Sequence, residues 1–254
     1  MATISLCMIV KNESAVLARC LDSIADLMDE IIIVDTGSTD NTKEIAAQYT
    51  SRIYDFKWTS DFSAARNFSF SKATMEYIYT ADADEILDDA NRERFLRLKD
   101  ALLPEIEIVQ MKYVTQGTFD TVLNAKKEYR PKLFRRLRTF TWIDPIHETV
   151  RLTPVTFDSD VEILHCPQSL HSKRDFSIFI KAFEHDGQFS PKIRTMYAKE
   201  LLKTGDKKDF TDAKPIFQLI FDNDPADDAR KEAACVLARI YRMEDNKNEF
   251  FKLT

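Results

Sequence analysis

Glycine is scarce, with four in 254 residues, and no glycine- and lysine-rich loop stands near the first apolar run. The phosphate loop that a nucleotidyltransferase sets there is thereby missing, which counts against that class. Cysteine is equally sparse. Cys7, Cys20, Cys166 and Cys235 lie far apart and form no Cys-x-x-Cys pair, a pattern of buried reduced thiols rather than of a zinc site. No apolar run approaches the roughly 20 residues that span a bilayer, so no transmembrane segment is expected. Met1-Ala2-Thr3-Ile4 carries no basic segment ahead of an apolar one, so neither is a signal peptide, and the expected address is cytoplasmic. Positive charge is in deficit. With 36 Lys and Arg against 42 Asp and Glu, the net charge of −6 argues against wholesale binding to nucleic acid, although local basic patches can still hold small anions.

What is present is an ordinary globular composition, 44% hydrophobic and 31% charged, in a chain long enough for one large domain or for a medium domain with an appendage. Ile4–Val10 is a nearly continuous apolar run of strand length, ending in the polar turn Lys11-Asn12-Glu13-Ser14. Val16, Leu17, Leu21, Ile24 and Leu27 then recur at helical spacing, predicting an amphipathic helix from about Glu13 to Met28. Glu30–Asp35 reads as the next strand. Runs that are apolar on both faces suit the interior of a parallel sheet covered by helices on each side, and strand, helix, strand in this order is a right-handed crossover. Gly37 allows a sharp turn after Asp35, Ser38, Thr39 or Asp40 can cap a helix from Asn41 to Tyr49, and Arg52–Tyr54 reads as a short third strand. A helix over Phe62–Ala73 and a strand over Met75–Ala81 follow.

Past a helix near Asn91–Leu103 the pattern changes. Ile106–Thr115, Glu128–Phe134 and Val161–His165 look extended and would add mixed or antiparallel strands. From Asp175 onward the signals are helical, in four segments: Phe176–Phe183, Ile193–Leu202, Asp212–Phe221 and Arg230–Tyr241. Helix pairs at a period of ~34 residues suggest a tetratricopeptide-like solenoid with too few repeats to stand alone, so the tail would pack on the first domain or on a partner. The expected division is 1–170 and 171–254, with a homodimer through the helical tail as one form of partnership.

Each early strand ends in polar groups: Lys11 and Glu13, then Asp35, Asp55, and finally Asp82 and Asp84. Ligands of open α/β sheets bind outside the carboxyl ends of the strands. In extended backbone residues i and i+2 point the same way, so Asp82 and Asp84 would present two carboxylates on one side. A hard cation of the Mg²⁺ or Mn²⁺ kind suits such a pair, usually together with substrate phosphates. The alternative is an acidic helix cap.

The order of elements and their end residues resembles the GT-A glycosyltransferases of family 2. The likeness covers roughly residues 3 to 170 and rests on Ile4–Glu13, Val34-Asp35-Thr36-Gly37-Ser38-Thr39-Asp40, Asp61-Phe62-Ser63-Ala64-Ala65-Arg66-Asn67 and Asp82-Ala83-Asp84-Glu85, with Arg135 and Ile146-His147-Glu148 later. It is most similar to the bacterial branch with Lys-Asn-Glu after the first strand and tetratricopeptide-like helices behind, a branch that includes peptide and lipopolysaccharide-core glycosyltransferases. The implied fold is α/β, a Rossmann-like mixed sheet between helices, with an all-helical appendage. The implied activity is metal-dependent transfer of a hexose or related sugar, with inversion, from a nucleotide diphosphate donor, a UDP-sugar foremost, to a peptide, protein or saccharide acceptor.

The resemblance implies that Asp35 accepts a hydrogen bond from the base while the backbone of Val10 and Lys11 flanks base and ribose. Glu13 serves either a ribose contact or a helix N-terminal charge. Arg66 would approach the diphosphate or the base. Asp82 falls to the ribose or a metal-bound water, and Asp84 to the metal, as does His165 unless it has a core or acceptor-side role. Glu148 would be the base that takes the acceptor proton, with Asp144 in reserve, and His147 would orient the acceptor or the base, or be a buried structural histidine. Asp144-Pro145 stands where the branch commonly has a glycine, which leaves that loop's geometry open. The run Arg130–Arg138 reads as a solvated surface in which Arg130 or Arg135 could meet phosphate or an anionic acceptor. The competing class is a catalytically silent nucleotide-binding module whose helical tail recruits a partner.

Overall fold

The computed structural model describes residues 1–115, 127–136, 142–143, 145–146, 149–150, 154–166 and 172–253. Two compact units divide the chain. The first contains most of residues 1–169, and the second contains residues 172–253 together with the short segment Ser60–Phe62.

The first unit is built on an eight-stranded mixed sheet. Its strands are β1 (Ile4–Val10), β2 (Glu30–Asp35), β3 (Ile53–Asp55), β4 (Tyr77–Thr80), β5 (Glu85–Ile86), β6 (Ile108–Thr115), β7 (Lys127–Arg135) and β10 (Thr156–His165). They lie in the order β3-β2-β1-β4-β7-β6-β10-β5. β1 runs parallel to β2 and β4, β2 parallel to β3, and β10 parallel to β6, while β7 and β5 are antiparallel to their neighbours. A short separate ladder joins β8 (Trp142–Ile143) and β9 (Thr149–Val150).

The central strand shows why the sheet forms. β1 is apolar at almost every position and buried on both faces. Ile4, Leu6, Met8 and Val10 face a core shared with Leu17, Cys20, Leu21 and Ile24 of α1 (Leu17–Ile24) and Phe95 of α4 (Asp89–Ala101). Cys7 faces the other way, onto Ile32, Val34 and Ile78, where Phe68 and Phe70 of α3 (Phe62–Phe70) pack. Each Leu or Ile so buried contributes about 1.5–3 kcal/mol, which makes α1 an anchor of the sheet.

α1 is shorter than its apolar spacing predicts. A turn precedes Leu17, and a 3-10 turn over Ala25–Leu27 follows Ile24. Glu13 therefore lies ahead of the helix, whose first turn holds no acidic residue, and its carbonyl accepts the N–H groups of Val16 and Leu17. α2 (Thr42–Ala46) is likewise trimmed relative to the Asn41–Tyr49 expectation. β10 extends the expected strand by five residues toward its start, past a register irregularity between Asp158 and Glu162.

The second unit contains α5 (Ser172–Asp186), α6 (Pro191–Thr204), α7 (Lys207–Asn223), α8 (Asp227–Met243) and α9 (Lys247–Phe251), the last of which the sequence pattern did not announce. Ser190 caps α6 by accepting from the Ile193 N–H, and Asp206 with Asp209 forms a capping box on α7. Gly205 ends α6 where a Cβ would stand 2.6 Å from the Leu201 carbonyl oxygen. The core is aromatic. Tyr197 stacks on Phe179 at 4.7 Å and meets Phe176, Phe189 and Phe217 at its other edges. None of the four cysteines is in a disulfide. Cys7 and Cys20 are buried and Cys166 is half-buried, but Cys235 is exposed, because α8 turns Ala233, Val236, Leu237 and Ile240 inward and leaves it outside. Among the described residues no helix is long and apolar enough to cross a membrane.

Candidate active site

The carboxyl ends of β1, β2, β4 and β10 gather the polar residues. β2 ends at Asp35, which is 1% exposed. Its Oδ1 accepts the backbone N–H groups of Gly37 and Ser38, both at 2.9 Å. Gly37, at φ +103°, supplies the turn that brings them there. Oδ2 of Asp35 is buried and has no hydrogen-bond partner among the described residues. A buried carboxylate oxygen without a donor is costly to leave so, and its chemistry suits a ligand N–H.

The neighbouring loops are clasped together. Val10 is buried, and its carbonyl accepts from both the N–H and the hydroxyl of Thr36. Lys11 is exposed beside it. Asn12, in the left-handed region at φ 56°, donates its N–H to Ser38 Oγ at 2.9 Å and accepts from the Thr39 N–H at 2.8 Å. The Glu13 N–H donates to Thr42 Oγ1, whose hydroxyl donates in turn to Asp40. Burial would raise the Asp40 carboxyl, but hydrogen bonds from Thr42 and Ser14 outweigh it and hold the pKa at about 2. Asp55 pairs with Lys43 at the surface.

β1 separates β2 from β4, which sets their ends about 10 Å apart. Beyond β4, Ala81 and Ala83 turn into the core while Asp82 and Asp84 point the other way. Asp82 is 54% exposed at its side chain and Asp84 18%. Nη2 of Arg66, from α3, lies 3.9 Å from Oδ1 of Asp82. The crowding protein pulls the Asp82 carboxyl upward, but the positive charges of Lys132, Arg66 and Arg130 win and hold it below the usual carboxylate range. Oδ2 of Asp84 lies 3.0 Å from Nε2 of His165. The antiparallel pairing of β10 with β5 sets His165 opposite Glu85 and so brings the imidazole to the acidic turn. Tyr113 lies against the imidazole with centroids 4.9 Å apart, and the Arg130 guanidinium covers Tyr113 at 3.7 Å.

The sequence reading missed the pair beneath this turn. Glu85 and Lys132 are buried, and Nζ of Lys132 donates to both oxygens of Glu85 at 2.6 and 2.7 Å. The run Arg130–Arg138 is thus not simply a solvated surface. Lys132 lies inside, Arg130 stacks on Tyr113, and Arg135 stands opposite Tyr77 at the start of β4, the far end of that strand from the acidic turn. Arg135 is therefore not placed to meet a phosphate there. The available signal was Pro131, which cannot donate within a strand and so marks a break in β7.

Asp84 and His165 offer an oxygen and a nitrogen donor, with Asp82 a second carboxylate two residues away. Among the described residues no three His, Cys, Asp or Glu side chains gather into a metal shell of their own. A cation of the Mg²⁺ or Mn²⁺ kind does not require one, because substrate phosphates complete its coordination. The donor set fits such a cation held jointly with a diphosphate. His147, Glu148 and Asp144 lie outside the described residues.

Over 132 residues the chain is 33% identical to the SPbeta prophage-derived glycosyltransferase SunS of Bacillus subtilis, covering 50% of this chain and 31% of that protein. Over 87 residues it is 48% identical to a TPR repeat-containing protein of Synechococcus elongatus, covering 34% of this chain and 22% of that one. The chain spans about a fifth to a third of the length of these curated relatives. Among solved structures, glucosyl-3-phosphoglycerate synthase of Mycobacterium tuberculosis, in complex with Mn²⁺, UDP-glucose and phosphoglyceric acid, superposes with a TM-score of 0.54 at 19% identity, over 75% of this chain and 82% of that one. At that identity the likeness is one of fold. The model of glycosyl transferase family 2 matches residues 5–153, more than half of the sequence, and the chain belongs to that family.

Proposed function

We propose that the protein is an inverting, metal-dependent glycosyltransferase that moves a hexose or related sugar from a nucleotide diphosphate donor, a UDP-sugar foremost, to a peptide, protein or saccharide acceptor. The observation that carries this reading is the buried, partnerless Oδ2 of Asp35 on the same ridge as the Asp84–His165 contact. One end of the ridge suits the N–H of a base, and the other suits a cation with a diphosphate. Glycosyltransferases among the relatives and the Mn²⁺ and UDP-glucose named for the neighbouring structure support the reading.

In this mechanism Asp35 accepts from the base, the backbone of Val10 and Lys11 flanks base and ribose, and Glu13 reaches toward the ribose. Asp82 takes the ribose or a water, and Asp84 and His165 are the residues that would hold the cation. Bound there, a divalent cation would supply positive charge against that growing on the departing nucleoside diphosphate. The Arg66 guanidinium adds a fixed positive charge on that side. Glu148 removes the proton of the acceptor nucleophile as that atom bonds to the anomeric carbon and the bond from this carbon to the diphosphate oxygen breaks. His147 orients the acceptor or the base. Residues 1–170 would form the donor-binding domain and 171–254 a tetratricopeptide-like tail. α5 and α7 start 35 residues apart (172 to 207) and α6 and α8 36 apart (191 to 227), the spacing of stacked helix pairs.

The test is a panel of nucleoside diphosphates and nucleotide-sugars, each with and without Mn²⁺, read by thermal shift and calorimetry. One of them, with Mn²⁺ at 100 times its Kd, should add about 2.7 kcal/mol of apparent stability. If none shifts the transition and none is turned over, the reading fails. Glu148→Gln then separates an enzyme from a silent binder, because an enzyme keeps donor binding and loses transfer.

A further inference from the structure

Glu85 and Lys132 are respectively 2% and 5% exposed. Two observations say that they do more than fill the core. The first is how Lys132 gets there. On β7 the register jumps from Leu133 opposite Val109 to Pro131 opposite Gln110, which leaves Lys132 as the extra residue of a bulge. Bulges re-aim a side chain at some expense in pairing, and this one sends Nζ to the Thr80 carbonyl at 3.3 Å as well as to Glu85. The second is what Glu85 holds. Its Oε2 accepts the Asp82 N–H at 3.2 Å, its own N–H donates to the Asp82 carbonyl at 3.1 Å, and the Cys20 thiol donates to that carbonyl at 3.5 Å. The Asp84 carbonyl accepts the Cys166 N–H at 3.0 Å. The backbone of the acidic turn is thus pinned from behind at three polar groups while its carboxylates point away.

A buried ion pair is a weak device for stability, since an apolar pair of the same volume often does as well or better. What an apolar pair cannot supply is a directed acceptor for the Asp82 N–H. We propose that Glu85 and Lys132 are positioning residues that preform the turn Ala81–Asp84, so that the carboxylate of Asp84 is set for a cation that carries the diphosphate, and that of Asp82 for the ribose or a water, before any of them binds. Holding a site in its bound geometry removes the ordering cost from binding. This rests on the reading of the turn as a metal-diphosphate site.

The experiment compares two double variants of the full chain with the parent by calorimetry, using uridine without metal and UDP with Mn²⁺. Glu85→Met with Lys132→Met preserves volume and removes both charges. It should melt at or above the parent temperature, while its Mn²⁺-dependent affinity for UDP falls about tenfold or more, the usual effect of losing support behind a metal ligand, and its affinity for uridine, which meets the turn through the ribose at most, falls less. Glu85→Gln with Lys132→Met keeps an oxygen for the Asp82 N–H and should recover most of that affinity. Parental UDP affinity in the Met pair, or equal loss in both double variants, overturns the proposal. Should the Met pair not fold, hydrogen exchange on the parent decides: the Asp82 amide is expected to be protected without ligand, and fast exchange until Mn²⁺ and UDP are added would overturn it too. A parent that binds UDP no better with Mn²⁺ refutes the metal-diphosphate reading itself, and the positioning role falls with it.

Discussion

Nε2 of His165 approaches Oδ2 of Asp84 to 3.0 Å although the residues are 81 apart in sequence. The approach follows from sheet topology, because β5 is a two-residue strand that, among the described residues, pairs only with the end of β10. The pair joins a hard oxygen donor to an imidazole, a set that favours Mn²⁺ over Mg²⁺.

Asp84→Asn should weaken Mn²⁺-dependent UDP binding by at least about tenfold, or 1.4 kcal/mol, and leave metal-free uridine binding as it was. His165→Ala should narrow the preference for Mn²⁺ over Mg²⁺, since the remaining donors are oxygens. Calorimetric titrations with each metal read both effects. An unaltered metal preference in His165→Ala would remove His165 from the metal shell and leave it as the hydrogen-bond partner of Asp84.

Asp35→Asn tests the other end of the ridge. An Asn Oδ1 can still receive the Gly37 and Ser38 N–H groups, so the turn should survive. The atom in place of Oδ2 becomes an NH₂ donor, which faces the N3–H of uracil donor to donor but suits the N3 acceptor of cytosine. A hydrogen bond to a charged acceptor contributes about 1.5–3 kcal/mol, so UDP affinity should fall roughly tenfold to a hundredfold while CDP gains relative to UDP. Competition binding of the two nucleotides checks this, and an unchanged ratio would mean that the base does not meet Asp35.

Much of this site could be read from the chain because strand ends are local features. An apolar run closed by Asp35 or by Asp82-Ala83-Asp84 announces both the strand and the side of the sheet where its last residues emerge. Glu85 and Lys132 were not legible as a pair, since it depends on β7 lying beside β4 and on a bulge that Pro131 alone signals and that leaves no periodic trace. The same limit explains Arg135, whose basic neighbourhood suggested an anion but whose antiparallel strand carries it to the opposite end of the sheet. Helix ends erred for a different reason. Apolar spacing continues past Ile24 through Leu27, but there the backbone tightens into a 3-10 turn that spacing alone does not distinguish.

Asp40 predicts an acid limb in the stability of the clasp between the loops after β1 and β2. Its carboxyl titrates at about 2 in the fold against 3.8 ordinarily. The unfolded chain therefore takes up the proton first, so the contribution is complete above pH 3.8 and is lost as pH falls toward 2. Urea unfolding of the parent and of Asp40→Asn should show the largest difference near pH 5, shrinking steadily below pH 4. A difference independent of pH would mean that the clasp acts through shape rather than through the ionised carboxylate.

Tyr197 sits at the centre of the helical unit, fully buried, with a hydroxyl that has no partner among the described residues. Its ring stacks on Phe179 at 4.7 Å with the planes 15° apart, so nearly all of its favourable contacts are made by carbon. A buried hydroxyl without a partner costs about 1–3 kcal/mol. Tyr197→Phe keeps the ring and removes that cost, and should stabilise the unit by about 1 kcal/mol, which raises the melting temperature by a few degrees. Tyr197→Ala removes the ring as well and should lose about 3–5 kcal/mol through the cavity it leaves. Urea unfolding followed by circular dichroism measures both. If the Phe variant proves less stable than the parent, the hydroxyl has a partner in the folded protein, and the aromatic cluster is a polar site as well as a core.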